Sequence, residues 1–165
     1  MEYPDTHEPT ETPASDEYDS GADDAASPSL HQQKTALHIP RVLIVEDTAE
    51  LGQLIQVTLE RMDMLAFHET HGAPALERFD EIRPDLVLLD IGLPDMSGWR
   101  VLDAIKESKL AFSRPAIVII TAFGDPANRL MGKLQGVDGY LTKPFTHDEI
   151  ESVVLGALGK NVKDD

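Results

Sequence analysis

Five side chains in this sequence could share one reaction. Glu46 and Asp47 follow the apolar run "RVLIV" (residues 41–45), and Asp90 closes "DLVLLD" (residues 85–90). Thr121 follows "PAIVII" (residues 115–120), and Lys143 stands two residues past "GYL" (residues 139–141). Carboxylates held close together repel, so a cation belongs between them. Every donor on offer is an oxygen, which favours Mg2+ over zinc or copper. Magnesium keeps part of its water and completes its shell with phosphate oxygens. Lys143 is a compact charge suited to a phosphoryl group, and Thr121 offers a hydrogen bond. An aspartate can carry phosphate as an acyl phosphate. Asp90, central in the set and followed by the Gly- and Pro-containing "IGLPDMSG", is the best-placed nucleophile.

These residues work together only if the chain brings them to one edge. "RVLIV", "MLAFHE", "DLVLL", "PAIVII" and "GYL" are short apolar, partly β-branched runs, as expected of strands buried on both faces. Between them lie helical patterns. The first keeps Leu51, Leu54, Ile55, Thr58, Leu59 and Met62 on one face, with Asp47 and Thr48 placed to cap it. "GAPALERFDEI", "GWRVLDAIKES", "DPANRLMGKLQ" and "THDEIESVVLGAL" follow, the last opening on a Thr146/Glu149 capping box. Gly124, Gly132 and Gly136 bracket or interrupt the fourth helix, which is therefore expected to be marginal before the site is loaded. Five strands alternating with five helices predict an α/β, doubly wound parallel sheet with right-handed crossovers. Such sheets bind ligands outside the carboxyl ends of their strands.

Composition narrows the class. The 165 residues include no cysteine, which removes disulfides, thiolate metal sites and cysteine nucleophiles. Apolar runs stop at four or five residues, far short of a membrane span, and "MEYPDTHEPT" lacks the form of a signal peptide, so a cytoplasmic location without membrane insertion is expected. Net charge is −16; residues 1–40 hold nine acids and one base, the remainder 21 acids and 13 bases. Such a balance repels a phosphate backbone and argues against direct binding of nucleic acid. Residues 1–39, Pro-rich and without apolar period, read as a disordered, solvated acidic tail, with "LHIP" (residues 37–40) resting on the domain edge. The domain is expected over 40–160 and a polar tail over 161–165.

The ordered series "VEDT", "LLDIGLPDMSGW", "VIITA" and "YLTKPF" resembles the receiver domain of two-component response regulators, over roughly Arg41 to Leu158. Each motif alone is weak; four in order at predicted strand ends are specific. The resemblance implies a flavodoxin-like fold with strand order 2-1-3-4-5. Asp90 would be the phosphoacceptor, taking its phosphoryl group from a histidine kinase or a histidine phosphotransfer protein. Glu46, Asp47, Asp90 and the backbone carbonyl of Gly92 would bind Mg2+. Lys143 and Thr121 would contact the phosphate, with small Ala122 leaving it room. Thr121 and Tyr140 would form the switch, and the Lys143–Pro144 peptide would be cis. Gly92 and Phe123 occupy positions that influence phosphate lifetime. Only seven residues follow Leu158, so a stand-alone receiver is expected. Its output would be contact with a downstream protein target through residues 125–158.

Three other readings compete. A phosphohydrolase of the haloacid-dehalogenase type wants a D-x-D motif after the first strand, which Glu46-Asp47-Thr48 does not supply. A phosphorylation-independent module would not need the full acidic, Thr and Lys set. A DNA-binding regulator is disfavoured by charge. Among the histidines, His68 and His71 straddle a strand end and a helix start without a partner motif and do not read as a metal site, and His147 reads as an exposed helix-start residue. Trp99 reads as packing.

Overall fold

The computed structural model describes residues 38–108, 114–122 and 125–161. In chain order these form β1 (Arg41–Val45), α1 (Ala49–Arg61), β2 (Leu65–Glu69), α2 (Gly72–Ile82), β3 (Leu86–Asp90), α3 (Gly98–Glu107), β4 (Ala116–Ala122), α4 (Pro126–Gln135), β5 (Gly139–Lys143) and α5 (His147–Asn161). The strands make one parallel sheet in the order β2-β1-β3-β4-β5. The parallel sheet is the one expected from the alternation, and its strand order is the flavodoxin-like one that the resemblance implied. Residues 1–37, Phe123, Gly124 and 162–165, for which the sequence also raised expectations, lie outside the described residues.

The continuous apolar runs follow from burial on both faces. Alternate residues of a strand point to opposite sides, so Val42 and Ile44 enter one core with Leu86, Leu88, Val118 and Ile120, closed by Ile55 and Leu59 of α1 and Ile150 and Val154 of α5. Leu43 and Val45 enter the other with Val87, Leu89, Ile117 and Ile119, closed by α2 and α3 through Phe79, Val101, Leu102 and Ile105. Each fully buried aliphatic side chain contributes roughly 1.5–3 kcal/mol. No helix among the described residues is long and apolar enough to cross a membrane.

Local chemistry sets the ends. Thr146 and Glu149 do form the capping box: the Thr146 amide donates to Glu149 Oε2 at 2.7 Å and the Glu149 amide donates to Thr146 Oγ1 at 3.3 Å. Thr48 holds the N-cap position of α1 without a capping bond from its side chain; its amide donates to Glu46 Oε1 instead, at 3.1 Å. Of "LHIP", the described residues His38–Pro40 make the expected edge contact, with His38 Nε2 2.8 Å from Asp85 Oδ1 and the Leu65 amide donating to the Pro40 carbonyl. α5 continues to Asn161, so the boundary expected after residue 160 falls inside a helix. β3, β4 and β5 each run one or two residues further than their apolar runs, because the ladder pairs Asp90 with Ile120 and Ala122 with Lys143. Asp90, Thr121 and Lys143 are therefore the last residues of strands, or next to last, rather than residues beyond them.

Gly132 has a purpose that its helix propensity hides. Tyr140 crosses α4 and donates from its hydroxyl to the Arg129 carbonyl at 2.9 Å, and a Cβ on Gly132 would lie 2.0 Å from that hydroxyl. Gly132→Ala gains about 1 kcal/mol of helix propensity but must evict the phenol. The expected result is a lowered thermal midpoint and a changed tyrosine near-ultraviolet signal; a raised midpoint would show that the ring does not need this seat.

Candidate functional site

Register decides which side chains meet. Val45 is paired with Leu89, so Glu46 and Asp90 leave β1 and β3 at the same level. Ala122 is paired with Lys143, which brings the ammonium to that edge from the far side of β4. Lys143 Nζ reaches Asp90 Oδ2 at 2.8 Å and the Glu46 carboxylate at 2.9–3.1 Å. The Gly92 amide donates to Asp90 Oδ1 at 2.9 Å. Glu46, Asp90 and Thr121 are buried at 0%, 6% and 3% exposure, whereas Asp47 is exposed.

The electrostatics follow from that burial. Desolvation pushes the Glu46 carboxyl up to about 7; the Lys143 hydrogen bond opposes this, and the Asp90 charge adds to it. Burial works against the Lys143 charge, but hydrogen bonds to Asp90 and Glu46 outweigh it and raise its pKa. One cation thus holds two carboxylates that would otherwise repel.

The fit of a divalent cation can be tested on the residues alone. One carboxylate oxygen from each of Glu46, Asp47 and Asp90 lies within 4.8 Å of the others. Glu46 Oε2 is fully buried; it has the Lys143 charge 2.9 Å away but no hydrogen bond of proper geometry. An all-oxygen set with an under-satisfied buried carboxylate oxygen fits Mg2+. Gly92, whose amide bonds Asp90, is joined to Ser97 by an isolated antiparallel bridge.

The remaining site residues divide. Thr121 Oγ1 makes a 3.4 Å contact with the Ala122 carbonyl, and Ala122 is exposed at the rim. Ala122 and Lys143 line an open cavity of about 350 Å³ with Leu51, Pro144 and Phe145. The Lys143–Pro144 peptide is cis. Tyr140 lies away from the carboxylates, against α4.

Sequence reasoning missed three contributors. Asp95 accepts from the Ala73 and Gly72 amides at 2.9 and 2.8 Å, bonds that lower its pKa and tie the Asp90–Ser97 segment to the start of α2. Gly98 is needed because a Cβ there would lie 2.3 Å from the Asp90 carbonyl oxygen. Trp99 does pack on the core, but its indole also donates to Asn128 Oδ1 at 2.9 Å, joining α3 to α4. "PDMSGW" carries no local sign of these partners. Asp95→Ala is expected to lower the thermal midpoint by a few degrees, by freeing two helix-start amides. It should also speed amide exchange of residues 91–97; unchanged exchange would remove Asp95 from the support of the site.

Comparison with known proteins agrees with this fold. A family model described as response regulator receiver domain matches residues 42–155. The DNA-binding response regulator MtrA of Mycobacterium tuberculosis is 36% identical over 123 residues, 73% of this chain and 51% of its own. The alkaline phosphatase synthesis transcriptional regulatory protein PhoP of Bacillus subtilis is 31% identical over 121 residues, 73% of this chain and 49% of its own. The chain spans about half the length of the curated relatives it matches. Among solved structures, the signal receiver domain of a Luxo repressor protein from Vibrio parahaemolyticus superposes with a TM-score of 0.71 at 30% identity, over 78% of this chain and 96% of that one. The chemotaxis response regulator CheY4 of Vibrio cholerae shares the fold, with a TM-score of 0.65 at 24% identity over 71% of this chain and 97% of its own.

Proposed function

Since the chain belongs to the response regulator receiver domain family, we propose that it accepts a phosphoryl group on Asp90 and signals by a change of protein contacts. The observation that carries this is the Lys143 ammonium, bonded to Asp90 Oδ2 at 2.8 Å while also paired with buried Glu46. It holds a nucleophilic carboxylate at a sheet edge with its charge already compensated. The Asp90 carboxylate attacks phosphorus; a P–O bond forms as the P–N bond of a phosphohistidine breaks, and the imidazole nitrogen leaves with the electron pair. Glu46, Asp47, Asp90 and the Gly92 carbonyl would hold Mg2+, which when bound screens the charge of the incoming phosphoryl oxygens. Lys143 stays with the phosphate, Thr121 supplies a hydrogen bond, and Ala122 leaves space. Positioning and electrostatics make up nearly all of such catalysis.

The donor in this reading is a histidine kinase or a histidine phosphotransfer protein. Thr121, drawn toward the new phosphate, and Tyr140, seated on Gly132, make the switch. The output is a downstream protein target that meets the 125–158 face, where Leu130, Met131 and Leu134 stand exposed at 60%, 41% and 76%. The acidic surface favours protein partners over direct nucleic-acid binding, and the cytoplasm is the compartment in which such a donor meets it. Residues 1–39 are the acidic segment ahead of a receiver that runs from residue 40 to the end of α5. The chain catalyses only its own phosphorylation and dephosphorylation.

Intact mass after incubation with Mg2+ and acetyl phosphate tests the proposal. The native chain should gain one phosphoryl group, and Asp90→Asn or prior chelation should abolish the gain. A chain that gains nothing even from a phosphohistidine donor is not a phosphoacceptor.

A further inference from the structure

His68 has no part in the chemistry above, yet it touches the turn that carries two of the carboxylates. It lies on β2, opposite Ile44 of β1. Its Nε2 is 2.8 Å from the Glu46 carbonyl oxygen. A carbonyl only accepts, so Nε2 carries the proton. The regular β1–β2 pairing ends at Val45 and Glu69. Past that point the Glu46 amide still donates to the Glu69 carbonyl at 3.1 Å, and the imidazole satisfies the Glu46 carbonyl. Both backbone groups of Glu46 are thereby tied to β2.

The other wall of this contact is Gly52, buried in the first turn of α1. A Cβ there would lie 2.1 Å from both Cε1 and Nε2 of His68. α1 therefore accepts a glycine, costly inside a helix, at the point where the ring passes. The imidazole is wedged between that helix and the Glu46–Asp47 peptide. This peptide plane joins two of the three clustered carboxylates, so rotating it moves the Glu46 and Asp47 side chains relative to Asp90.

We propose that His68, seated on Gly52, is a positioning residue that fixes the Glu46–Asp47 peptide and so sets the affinity of the carboxylate cluster for Mg2+. The inference rests on reading that cluster as the Mg2+ site. Groups that orient metal ligands change affinity about 10–100-fold when removed.

The test is calorimetric titration of Mg2+ into the full native chain, His68→Phe, His68→Gln and Gly52→Ala at one fixed pH. It is paired with amide exchange at Asp47 in the metal-free state. His68→Phe keeps a ring without the N–H, His68→Gln restores an N–H donor, and Gly52→Ala drives the ring away while improving the helix. His68→Phe and Gly52→Ala should each weaken Mg2+ binding about tenfold or more and speed Asp47 exchange, with His68→Gln recovering much of both. A role in folding alone would lower the thermal midpoint of His68→Phe and leave Gly52→Ala with native affinity; that result overturns the proposal. Native affinity in both variants overturns it as well. A native chain that binds no Mg2+ refutes the reading of the cluster itself, and the inference falls with it.

Discussion

Lys143→Met should take up phosphoryl groups from acetyl phosphate about 10²–10³-fold more slowly than the native chain, the usual effect of deleting one preorganised charge from a transition state. The reason is local. Lys143 Nζ lies within 3.1 Å of both Asp90 and Glu46, and its side chain is only 28% exposed. Met keeps the stem and removes the charge. Two buried carboxylates then face each other with no cation, and breaking such a pair costs several kcal/mol where no relief exists. Glu46, already pushed to about 7, relieves much of this by taking up a proton, so the expected loss of stability is about 1–3 kcal/mol in the metal-free state. Saturating Mg2+ should restore most of that stability and little of the rate. Stopped-flow or quenched intact-mass kinetics, with thermal unfolding in parallel, separates the two. A variant with native uptake rate would remove Lys143 from the reaction.

The second large effect is a pH dependence with a sign opposite to that of ordinary surface carboxylates. Glu46 has its pKa raised from 4.5 to about 7 by burial, so the native state holds this proton more tightly than the unfolded chain. Stability falls with rising pH wherever the native state binds more protons. The Glu46 contribution is thus fully present below its unfolded value and lost as pH rises through about 7. The raised Lys143 pKa acts only above its ordinary 10.5 and leaves this window alone. Metal-free protein should therefore melt several degrees lower near pH 8 than near pH 5.5. Mg2+ needs the same carboxylate deprotonated, so its apparent affinity should weaken by up to about tenfold per pH unit below the Glu46 value. Glu46→Gln should flatten the melting trend and bind Mg2+ poorly at every pH. An unchanged trend in Glu46→Gln would assign the titration to another group.

Much of this protein is written locally. "RVLIV", "DLVLL" and "PAIVII" announce strands buried on both faces, because a side chain that alternates between two cores must be apolar at every position. The alternation with amphipathic helices then leaves few topologies, and right-handed crossovers select the parallel one. Under that rule Glu46, Asp47, Asp90, Thr121 and Lys143 were expected to be neighbours, since each lies within two residues of the end of an apolar run. Sequence reasoning stopped those runs short of Asp90, Thr121 and Lys143 because it tracked hydrophobicity. Hydrogen bonds along the ladder carry the strands on into polar residues.

Other features were decided by tertiary structure alone. Asp95 caps a helix that begins 23 positions earlier, His68 holds a carbonyl 22 positions away, and Trp99 bonds an amide 29 positions on. His147 opens α5 as expected, yet its Nδ1 also meets Thr58 Oγ1 of α1 at 2.6 Å. Gly132 looked like a weak point in its helix; it and Gly52 are each the space taken by a ring from another element. Residue type tells what a side chain can bond or how much room it takes. The partner within reach is fixed by strand register and helix packing, and those exist only once the whole sheet has closed.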